Sequence, residues 1–444
     1  MKRLAAGDER VVGIVQKRKL SADGPLRLSV FVVTMEAGDR MLLGNTLTRQ
    51  VYALTPAEWA LARAGDLSCP QVRELAEFRF LVEPDYDETA QYSRILAIMR
   101  TMEPKRTGVS HYTILPTTGC NARCVYCYEE NWPVKTMTPE TADAVSEFIC
   151  RTRQMKEIEL RWLGGEPLCA PAIISRICRT LRDRGVEFHS TTTTNGSLLT
   201  PELLQEALDL WRLRSIQVSM DGAREDYDVR KRYVRPDLHN YDRAMDAVAM
   251  LADAGLDVVI RCNYDGENLA RVRDFLEDCR KRFPNPERIS FYTDQLCQAS
   301  TSDLFWAAEP MDDYAASLGF RYARKLGRHL PTCVCMADSE GREVVIDPLG
   351  GLHACDNRAF EAPLGTVFDA ELPAWPKRVT VVAEECRYCP YLPVCTPFPK
   401  RGCPMESVGC QARIGLRTKN TLKALLKKDR EAEEAENEPD TICP

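Results

Sequence analysis

The chain has 444 residues, 44% hydrophobic and 28% charged, which is enough for two to four domains. Acidic residues outnumber basic ones by 65 to 59, and the net charge of −6 gives no indication of nucleic-acid binding. The first residues are charged and no apolar run approaches the length of a membrane span, which argues against a signal peptide and against a membrane protein. Nineteen cysteines without a secretion signal indicate a reducing cytoplasm rather than a disulfide scaffold.

The first hundred residues predict a small mixed domain. Residues 26–35 and 41–53 are expected to be extended on either side of a turn at Gly38-Asp39. Thr55-Pro56-Ala57-Glu58 has the hydroxyl, proline and acid of a helix start, and a second helix is expected from Pro70 to Phe80. One interpretation of this region is a cap that only packs on the rest of the chain.

A short loop then carries three cysteines. Cys120, Cys124 and Cys127 lie within eight residues, and Gly119 and Asn121 allow a tight loop around them. Three thiolates can hold three corners of a cubane iron–sulfur cluster, and the missing fourth cysteine leaves one iron open to another ligand. The alternatives are a zinc knuckle, although zinc usually takes four ligands in two pairs, and a group of buried thiols.

Predicted strands and helices alternate from residue 111 to residue 292. This alternation implies parallel strands with right-handed crossovers, and therefore an open or partial α/β barrel of about six repeats. The strands are expected near 111–116, 157–163, 186–193, 214–219, 257–263 and 287–292. The helices are expected near 138–153, 170–184, 201–210, 240–254 and 267–282.

Three of the predicted strands end in short glycine-rich or polar segments. These are Gly164-Gly165-Glu166-Pro167, Thr194-Asn195-Gly196 and Ser219-Met220-Asp221-Gly222. The carboxyl ends of strands are where α/β sheets bind ligands. Two glycines let the backbone approach a ligand closely, and the carboxylate of Glu166 can accept hydrogen bonds from an ammonium group. Taken singly, each segment is equally well explained as a polar turn.

The last third of the chain carries a second set of cysteines. Cys333 and Cys335 precede a predicted hairpin over residues 344–355, which ends at Cys355. The set continues with Cys386, Cys389, Cys395, Cys403 and Cys410. Zinc ribbons remain an alternative, because the C-x2-C spacing serves both metals. The other cysteines, such as Cys150, Cys178 and Cys279, are expected to be buried thiols.

The C-x3-C-x2-C spacing, with Tyr126 before the last cysteine, resembles the radical S-adenosylmethionine (SAM) superfamily. The later cysteines resemble the SPASM extension of that superfamily, with Gly350 at the matching place in the hairpin. Seven residues rather than three separate Cys395 from Cys403, which we interpret as an insertion. The resemblance implies an α/β fold: a partial (β/α)6 barrel, a small N-terminal winged-helix-like domain and a C-terminal cysteine-rich SPASM domain.

The resemblance also implies three [4Fe-4S] clusters and S-adenosylmethionine as cofactors. Cys120, Cys124 and Cys127 would hold the first cluster, whose electron cleaves the cofactor to a 5′-deoxyadenosyl radical. The nearer auxiliary cluster would use Cys335, Cys355 and Cys403, with Cys333 as a fourth candidate, and the farther one Cys386, Cys389, Cys395 and Cys410. The implied cofactor contacts are Tyr126, Gly164, Gly165, Glu166 (amino group), Asn195, Ser219 (ribose) and Arg230 (carboxylate).

The domains are therefore predicted at 1–108, 109–300 and 301–426, with a charged tail at 427–444 that is a solvated helix end or disordered. The N-terminal elements resemble the winged-helix domain that recognises leader peptides by adding a strand to a sheet edge. The predicted function is a peptide maturase that installs a thioether or carbon–carbon link in a ribosomally made precursor peptide. Its other expected partner is an external electron donor of the flavodoxin or ferredoxin type.

Two alternative functions remain at this stage. One is a sulfatase-maturase-like enzyme that makes formylglycine, in which Asp356, next to Cys355, takes the proton of the substrate. The other is a non-catalytic iron–sulfur electron carrier. The segments at 164–167 and 219–222 argue against a carrier, because an electron relay needs no cofactor pocket.

Overall fold

The computed structural model describes residues 1–16, 25–102, 108–296, 302–322, 330, 333–334, 339, 341–375, 384–396 and 410–437. The chain divides into two compact units. The barrel unit comprises residues 106–324 and 336–377, and the terminal unit comprises residues 1–105, 325–335 and 378–444. Two of the predicted cluster ligands, Cys335 and Cys403, lie outside the described residues.

The helices of the described chain range from the 8 residues of α1 to the 28 residues of α12. They are α1 (Glu9–Gln16), α2 (Pro56–Ala64), α3 (Pro70–Glu77), α4 (Glu88–Met102), α5 (Pro139–Thr152), α6 (Pro171–Asp183), α7 (Pro201–Asp209), α8 (Arg224–Lys231), α9 (Asn240–Asp253), α10 (Val272–Arg282), α11 (Ser302–Ser317) and α12 (Cys410–Asn437). None of these helices combines the length and the apolar composition needed to cross a membrane.

The strands fall into two larger sheets and two isolated pairs. They are β1 (Lys2–Ala6), β2 (Arg27–Leu28), β3 (Val32–Ala37), β4 (Arg40–Asn45), β5 (Gln50–Leu54), β6 (Leu81–Val82), β7 (His111–Ile114), β8 (Glu157–Trp162), β9 (Glu187–Thr194), β10 (Leu213–Met220), β11 (Asp257–Tyr264), β12 (Ile289–Gln295), β13 (Arg321–Tyr322), β14 (Cys333–Val334), β15 (Glu343–Ile346), β16 (Gly351–His353), β17 (Gly365–Thr366) and β18 (Cys395–Thr396).

The barrel unit is built on parallel strands in chain order from β7 to β13. Helices α5, α6, α7 and α9 to α11 follow or join these strands, as the predicted βα alternation requires. Thr138 and Thr200 cap α5 and α7 by accepting hydrogen bonds from backbone N–H groups, and a proline opens each helix. The partial (β/α)6 barrel predicted from the sequence is confirmed.

The sheet continues on its other edge in a way that the sequence did not indicate. Strand β15 pairs in parallel with β7, and β16 and β17 then add antiparallel strands. The hairpin that leads to Cys355 is therefore part of the barrel sheet. Asp347 closes this hairpin, because its Oδ1 accepts hydrogen bonds from the backbone N–H groups of Leu349 (2.7 Å) and Gly351 (2.9 Å).

The two faces of the barrel sheet differ. Along β8 to β11, side chains alternate between fully buried and half-buried, which is the period of a strand. The buried face carries apolar residues such as Leu160, Val218 and Ile260, which pack against the helices in one continuous core. The opposite face carries polar residues that remain partly accessible, among them Ser219 and Arg261. We call it the helix-free face because the described core helices pack on the other face, and a ligand can lie there.

In the terminal unit, an antiparallel sheet of order β1-β5-β4-β3 has helices on both faces. Leu43 and Tyr52 pack with residues of α2 and α3 on one face. On the other face, Leu42 and Val51 pack with Leu422 of α12. The predicted charged tail thus begins within a helix that extends to Asn437, and Lys2 pairs there with Asp429 and Glu433.

Local signals explain why these N-terminal residues adopt this structure. Thr55 accepts a hydrogen bond from the backbone N–H of Glu58, and the Glu58 carboxylate accepts one from the N–H of Thr55, which is a complete capping box. Gly38 has a φ of 68° in the two-residue turn between β3 and β4.

The helices α1 and α4 and strand β1 were not predicted. Both helices follow an aspartate that caps them: Asp8 accepts a hydrogen bond from the backbone N–H of Arg10 (3.1 Å), and Asp87 accepts one from that of Ala90 (2.9 Å).

Part of the second cysteine set also belongs to the terminal unit. Cys386 and Cys389 pack against a cluster that includes Phe31 and Tyr92 of the N-terminal region. The hydroxyl of Thr46 donates a hydrogen bond to the carbonyl oxygen of Pro390 (2.6 Å) in the same segment. The N-terminal residues and the C-x2-C segment therefore stabilise one another.

Candidate active site

The cysteine loop lies between β7 and α5, and all three of its thiols are half-buried. The backbone N–H of Ala122 donates to the Cys120 sulfur at 3.4 Å. Burial raises the pKa of the Cys120 thiol to about 12 and that of Cys127 to about 11, and it also raises the pKa of Cys124. These thiols therefore need a nearby cation to be thiolates at neutral pH, and a metal centre provides one.

The end of helix α8 holds one side of this loop. The backbone N–H of Arg123 donates to the carbonyl oxygen of Lys231, and that of Val125 to the carbonyl oxygen of Arg230, both at 2.9 Å. The loop has no helix or strand of its own over residues 120–127, so these hydrogen bonds position it.

The two adjacent glycines after β8 contact the other side of the cysteine loop. Gly164 has a φ of 133°, and a Cβ atom there would lie 2.2 Å from the carbonyl oxygen of Thr117. A Cβ atom on Gly165 would lie 2.5 Å from the carbonyl oxygen of Gly119. The backbone N–H of Glu166 also donates to Gly119 at 2.9 Å. Because these glycines have no Cβ atom, the turn after β8 can lie directly against the backbone that leads into the cysteine loop.

The Glu166 carboxylate is buried and ties the ends of β8 and β9 together. Its oxygens accept hydrogen bonds from the Thr194 hydroxyl (2.6 Å) and from the backbone N–H groups of Asn195 (2.8 Å) and Leu168 (3.1 Å). Burial raises the pKa of Glu166, and these hydrogen bonds oppose the effect. The Asn195 amide in turn donates to Asn121 Oδ1 at 2.8 Å, so this network reaches the cysteine loop.

Arg230 and Tyr126 lie together beside the loop. The Arg230 guanidinium donates to Asp265 Oδ2 at 2.7 Å and its carbon lies 5.7 Å from the centre of the Tyr126 ring. Arg230 Nε is buried and has no hydrogen-bond partner among the described residues. The Tyr126 hydroxyl donates to the Asp221 carboxylate, with oxygen–oxygen distances of 2.5 and 2.6 Å.

The helix-free face of the sheet adds a polar surface at these strand ends. Ser219 is half-buried there and pairs in register with Arg261 of the next strand. Arg261 forms an ion pair with Asp294 (2.7 Å), and the Tyr292 hydroxyl donates to Gln217 at 2.8 Å. The structure thus brings Ser219 to the end of the sheet that carries the cysteine loop.

Asp356 lies on the barrel unit, in the turn after Cys355. Its Oδ1 accepts a hydrogen bond from the Asn357 N–H (2.9 Å), and its Oδ2 lies 3.7 Å from the guanidinium of Arg161.

Glu129, two residues beyond Cys127, is a buried acid that the sequence analysis did not single out. Burial raises the pKa of Glu129 to about 7, and the charge of the nearby Asp356 carboxylate contributes to this rise.

Comparison with known families then identifies the barrel. Residues 114–279 match the family described as the radical SAM superfamily. This part of the chain is a radical SAM domain.

A segment of 113 residues is 32% identical to GTP 3′,8-cyclase of Chlorobaculum tepidum, and covers 26% of this chain and 33% of the cyclase. A segment of 117 residues is 26% identical to an uncharacterised protein of Methanocaldococcus jannaschii and covers 40% of it. The matched segments thus span well under half of these relatives.

Solved structures extend the likeness in fold beyond the radical SAM domain. The structure of native anSMEcpe with bound AdoMet (S-adenosylmethionine) and a bound peptide superposes with a TM-score of 0.56. The alignment covers 72% of this chain and 99% of that protein, at 16% sequence identity. At this identity the likeness establishes a shared fold.

A radical SAM domain implies a [4Fe-4S] cluster and S-adenosylmethionine, and the residues present fit both groups. Among the described residues, no three His, Cys, Asp or Glu side chains converge on a single metal ion. A cubane cluster makes no such demand, because each thiolate binds a different iron. The buried, unpartnered Arg230 Nε and Asn263 Oδ1 flank Tyr126 and offer a donor and an acceptor to a polar ligand.

The second cysteine set is described only in part. Cys355, Cys386 and Cys389 are half-buried. The backbones at Cys333 and Cys395 pair in the short parallel ladder of β14 and β18, and Cys410 is the first residue of α12. The two auxiliary clusters therefore remain a prediction from the sequence.

The packing of Gly165 gives a first testable prediction. Changing Gly165 to Ala inserts a Cβ atom against two backbone carbonyl groups, which cannot move without shifting the cysteine loop. We expect a loss of about 1–3 kcal/mol in the free energy of unfolding and a lower iron content after reconstitution. Denaturant unfolding and iron analysis measure both quantities.

The matched control is Gly13→Ala in the exposed interior of α1, where a Cβ atom meets nothing within 4 Å. This change should stabilise the protein by about 0.5–1 kcal/mol. Normal iron content and stability in the Gly165 variant would contradict the assigned role of the close contact.

Proposed function

We propose that this protein is a radical SAM enzyme that modifies a ribosomally made precursor peptide by forming a thioether or carbon–carbon link. The observation that carries the proposal is the group of three half-buried thiols at the carboxyl ends of parallel strands, beside an unpartnered buried arginine nitrogen. This arrangement leaves one iron of a cluster open for S-adenosylmethionine. The matched radical SAM domain supports the same assignment.

When bound, the cluster and S-adenosylmethionine supply a 5′-deoxyadenosyl radical, and this chain's residues bind, orient and shield the reactants. Cys120, Cys124 and Cys127 would ligate the cluster. Arg230 would face the cofactor carboxylate and Ser219 its ribose. The other proposed contacts are Tyr126, Gly164, Gly165, Glu166 and Asn195. The helix-free face of the sheet, with Arg261 and Tyr292, would receive the substrate.

A peptide substrate is supported by two observations. The solved structure of anSMEcpe, which shares the fold, contains a bound peptide. In the terminal unit, strand β3 ends the sheet, and no described strand pairs with its outer edge. The opposite edge, β1, is irregular between Arg3 and Ala5, which makes it a poorer template for another strand. We therefore place leader-peptide binding at β3.

The three-cluster composition is part of this proposal. Cys335, Cys355 and Cys403, with Cys333, would hold one auxiliary cluster. Cys386, Cys389, Cys395 and Cys410 would hold the other. An external flavodoxin- or ferredoxin-type protein would supply the electrons, and the reducing cytoplasm would keep the thiols available.

The position of Asp356 favours a second candidate, formylglycine formation of the sulfatase-maturase type. Its carboxylate lies near Arg161 and the buried Glu129, beside the cysteine loop, and could take a proton from a substrate thiol or hydroxyl. The two candidates differ in the product. A link between two residues removes two hydrogens from the peptide, whereas formylglycine replaces a cysteine or serine side chain by an aldehyde.

The second prediction concerns the three loop cysteines. Changing Cys120, Cys124 and Cys127 together to Ala should abolish the formation of 5′-deoxyadenosine. It should also remove about one third of the iron, because one of three proposed clusters is lost. Chromatography of the cleaved cofactor and iron analysis of anaerobically reconstituted protein measure these outcomes. As a control, Cys178→Ala alters a buried thiol of α6 that lies outside the loop and should change neither. Undiminished cofactor cleavage in the triple variant would refute the cluster assignment.

The third prediction concerns Asp356. If its carboxylate accepts the substrate proton, Asp356→Asn should leave cofactor cleavage intact and block product formation, as measured by mass spectrometry of the peptide. Glu361→Gln is the matched control, because Glu361 is an exposed acid in the same region that pairs with Arg358. If both variants process the peptide equally well, Asp356 does not take the substrate proton and serves only to close the turn after Cys355.

The fourth prediction places the leader peptide by hydrogen–deuterium exchange. Adding a precursor peptide should slow the exchange of amides in Val32–Ala37, because an added strand would hydrogen-bond the outer edge of β3, with which no described strand pairs. Exchange in Gln50–Leu54 should not change, because β5 already has strands on both sides. Peptide processing without any slowing at β3 would exclude this edge as the binding site.

A further inference from the structure

Three exposed valines lie around the cysteine loop. Val125 belongs to the loop, Val229 lies in the last turn of α8, and Val234 follows that helix. These residues are 46%, 69% and 57% exposed. Single exposed apolar residues are ordinary on a protein surface, but a group of them bordered by polar residues marks a place where a partner can bind.

The loop runs beside the end of α8, so the two segments form one surface. The backbone N–H of Val125 is bonded to α8, that of Arg123 donates to the carbonyl oxygen of Arg232 (3.0 Å), and that of Val234 donates to the carbonyl oxygen of Asn121 (2.9 Å). Backbone hydrogen bonds therefore join the segments at several points. We use the name loop surface for their exposed side chains, which are those of Arg123, Val125, Val229, Arg232 and Val234.

The loop surface carries an unbalanced positive charge. Arg123 and Arg232 are exposed, and neither of them forms an ion pair with an acid that the structure describes. The two segments contain no acidic residue. The nearest acid along the chain, Asp228, lies one helical turn beyond Arg224, and their opposite charges interact at this i, i+4 spacing. A protein whose net charge is −6 thus presents positive charge beside its cysteine loop.

The two basic residues in the middle of the second segment point inward and are neutralised there. Arg230 and Lys231 are almost completely buried. Arg230 pairs with Asp265 at 2.7 Å, and the Lys231 ammonium lies 3.5 Å from Asp221 Oδ2. Lys231 also donates to the Tyr126 hydroxyl at 3.0 Å. These contacts fix the backbone beneath the loop surface, so this surface needs little ordering before a partner binds.

We propose that the loop surface is the docking site of the external electron donor, a small protein with an acidic surface around its redox group. The two unpaired arginines attract such a protein, and the exposed valines give the contact an apolar centre. Electron-transfer complexes use small, transient interfaces, which a patch of five side chains suits. Because Arg123 and Val125 are the chain neighbours of Cys124, the donor would lie against the loop itself.

The docking site depends on the proposed function, because the cysteine loop must hold a cluster, and it adds to that function a surface for the donor. For each cofactor molecule cleaved, the reduced donor would lose one electron and the cluster would gain it. No atom is transferred in this step. The auxiliary cysteines are the alternative place at which a donor could dock, and the experiment separates the two.

The test compares two electron sources on the full, anaerobically reconstituted protein. One is flavodoxin kept reduced by NADPH and flavodoxin reductase, which must dock. The other is excess dithionite, which is too small to need a docking surface. The rate of 5′-deoxyadenosine formation is measured with each source. Calorimetry measures the binding of oxidised flavodoxin to the same protein, independently of turnover.

Arg232→Asp reverses one charge of the loop surface. Arg232 has a φ of 45°, and aspartate is among the residues that tolerate this conformation. The variant should lower the flavodoxin-driven rate at limiting flavodoxin by about tenfold, because the attraction is lost. Flavodoxin should also bind more weakly, and the dithionite-driven rate should not change. Val229→Ser, a second variant, should weaken binding even at high salt, where charges are screened.

Lys156→Glu is the matched control. Lys156 precedes β8 at the opposite end of the strands, and its side chain is 85% exposed. This change alters the net charge by the same amount as Arg232→Asp, so it shows whether the position of the charge matters, and both rates should equal those of the unaltered protein. Arg123 is left in place because its guanidinium donates to the carbonyl oxygens of Cys120 and Ala122, each at 2.7 Å, and so supports the loop.

Three results would overturn the docking site. Flavodoxin binding and flavodoxin-driven rates that are unchanged in both variants would place the donor elsewhere. An equal loss of rate with dithionite would make Arg232 a support of the cysteine loop. A dimer in sedimentation that Val229→Ser dissociates would assign the loop surface to a second copy of the chain. If the unaltered protein does not cleave S-adenosylmethionine with dithionite, the proposed function itself fails, and that outcome is distinct from all three.

Discussion

Every feature of the candidate site depends on how an irregular loop is held. The residues around Cys120 to Cys127 have no helix or strand to position them, and their backbone groups are paired with segments on both sides. Helix α8 supplies carbonyl oxygens on one side, and the glycine turn after β8 supplies an N–H group and close contact on the other. Because each partner segment begins at the end of a barrel strand, the sheet itself fixes the loop.

This arrangement gives several motif residues a structural role in addition to the cofactor contacts that the resemblance to the radical SAM superfamily implies. Glu166 and Asn195 were expected at the cofactor, and in the structure their side chains link β8, β9 and the cysteine loop. A side chain can bind a ligand and also support its neighbours, because a carboxylate has four lone-pair positions and an amide has several hydrogen-bonding sites. Substitutions at these positions will therefore report on loop geometry as well as on binding.

The terminal unit is made from both ends of the chain. Helix α12 covers one face of the N-terminal sheet. The Cys386–Cys389 segment packs against N-terminal residues that include Phe31 and Tyr92. Removing the first hundred residues would expose these apolar surfaces and disturb a proposed cluster segment. The proposed role of this unit in peptide recognition is therefore better tested by exchange measurements and single substitutions than by truncation.

Much of the barrel could be predicted because its signals are local. Strand periodicity, the Thr-Pro-Glu helix starts at 138–140 and 200–202, and the spacing of the three loop cysteines each act over a few residues. The predicted strand near 257–263 is β11, and the predicted helix near 240–254 is α9. The C-x3-C-x2-C spacing also indicated the radical SAM domain correctly, since the ligand chemistry depends on residues that are neighbours in sequence.

Only the tertiary structure decided which distant residues meet. Lys231, Asp221, Asn263 and Tyr126 come from four separate segments, and nothing in the local sequence distinguishes Lys231 from an exposed lysine such as Lys156. The pairing of β15 with β7 was equally hidden, because a parallel ladder between strands more than 200 residues apart leaves no periodic signal. The sequence thus determined the features that depend on neighbouring residues, namely the strands, the helix starts and the cysteine loop. Burial and ion pairs between distant residues were decided only by the tertiary structure, because they require the chain to have folded.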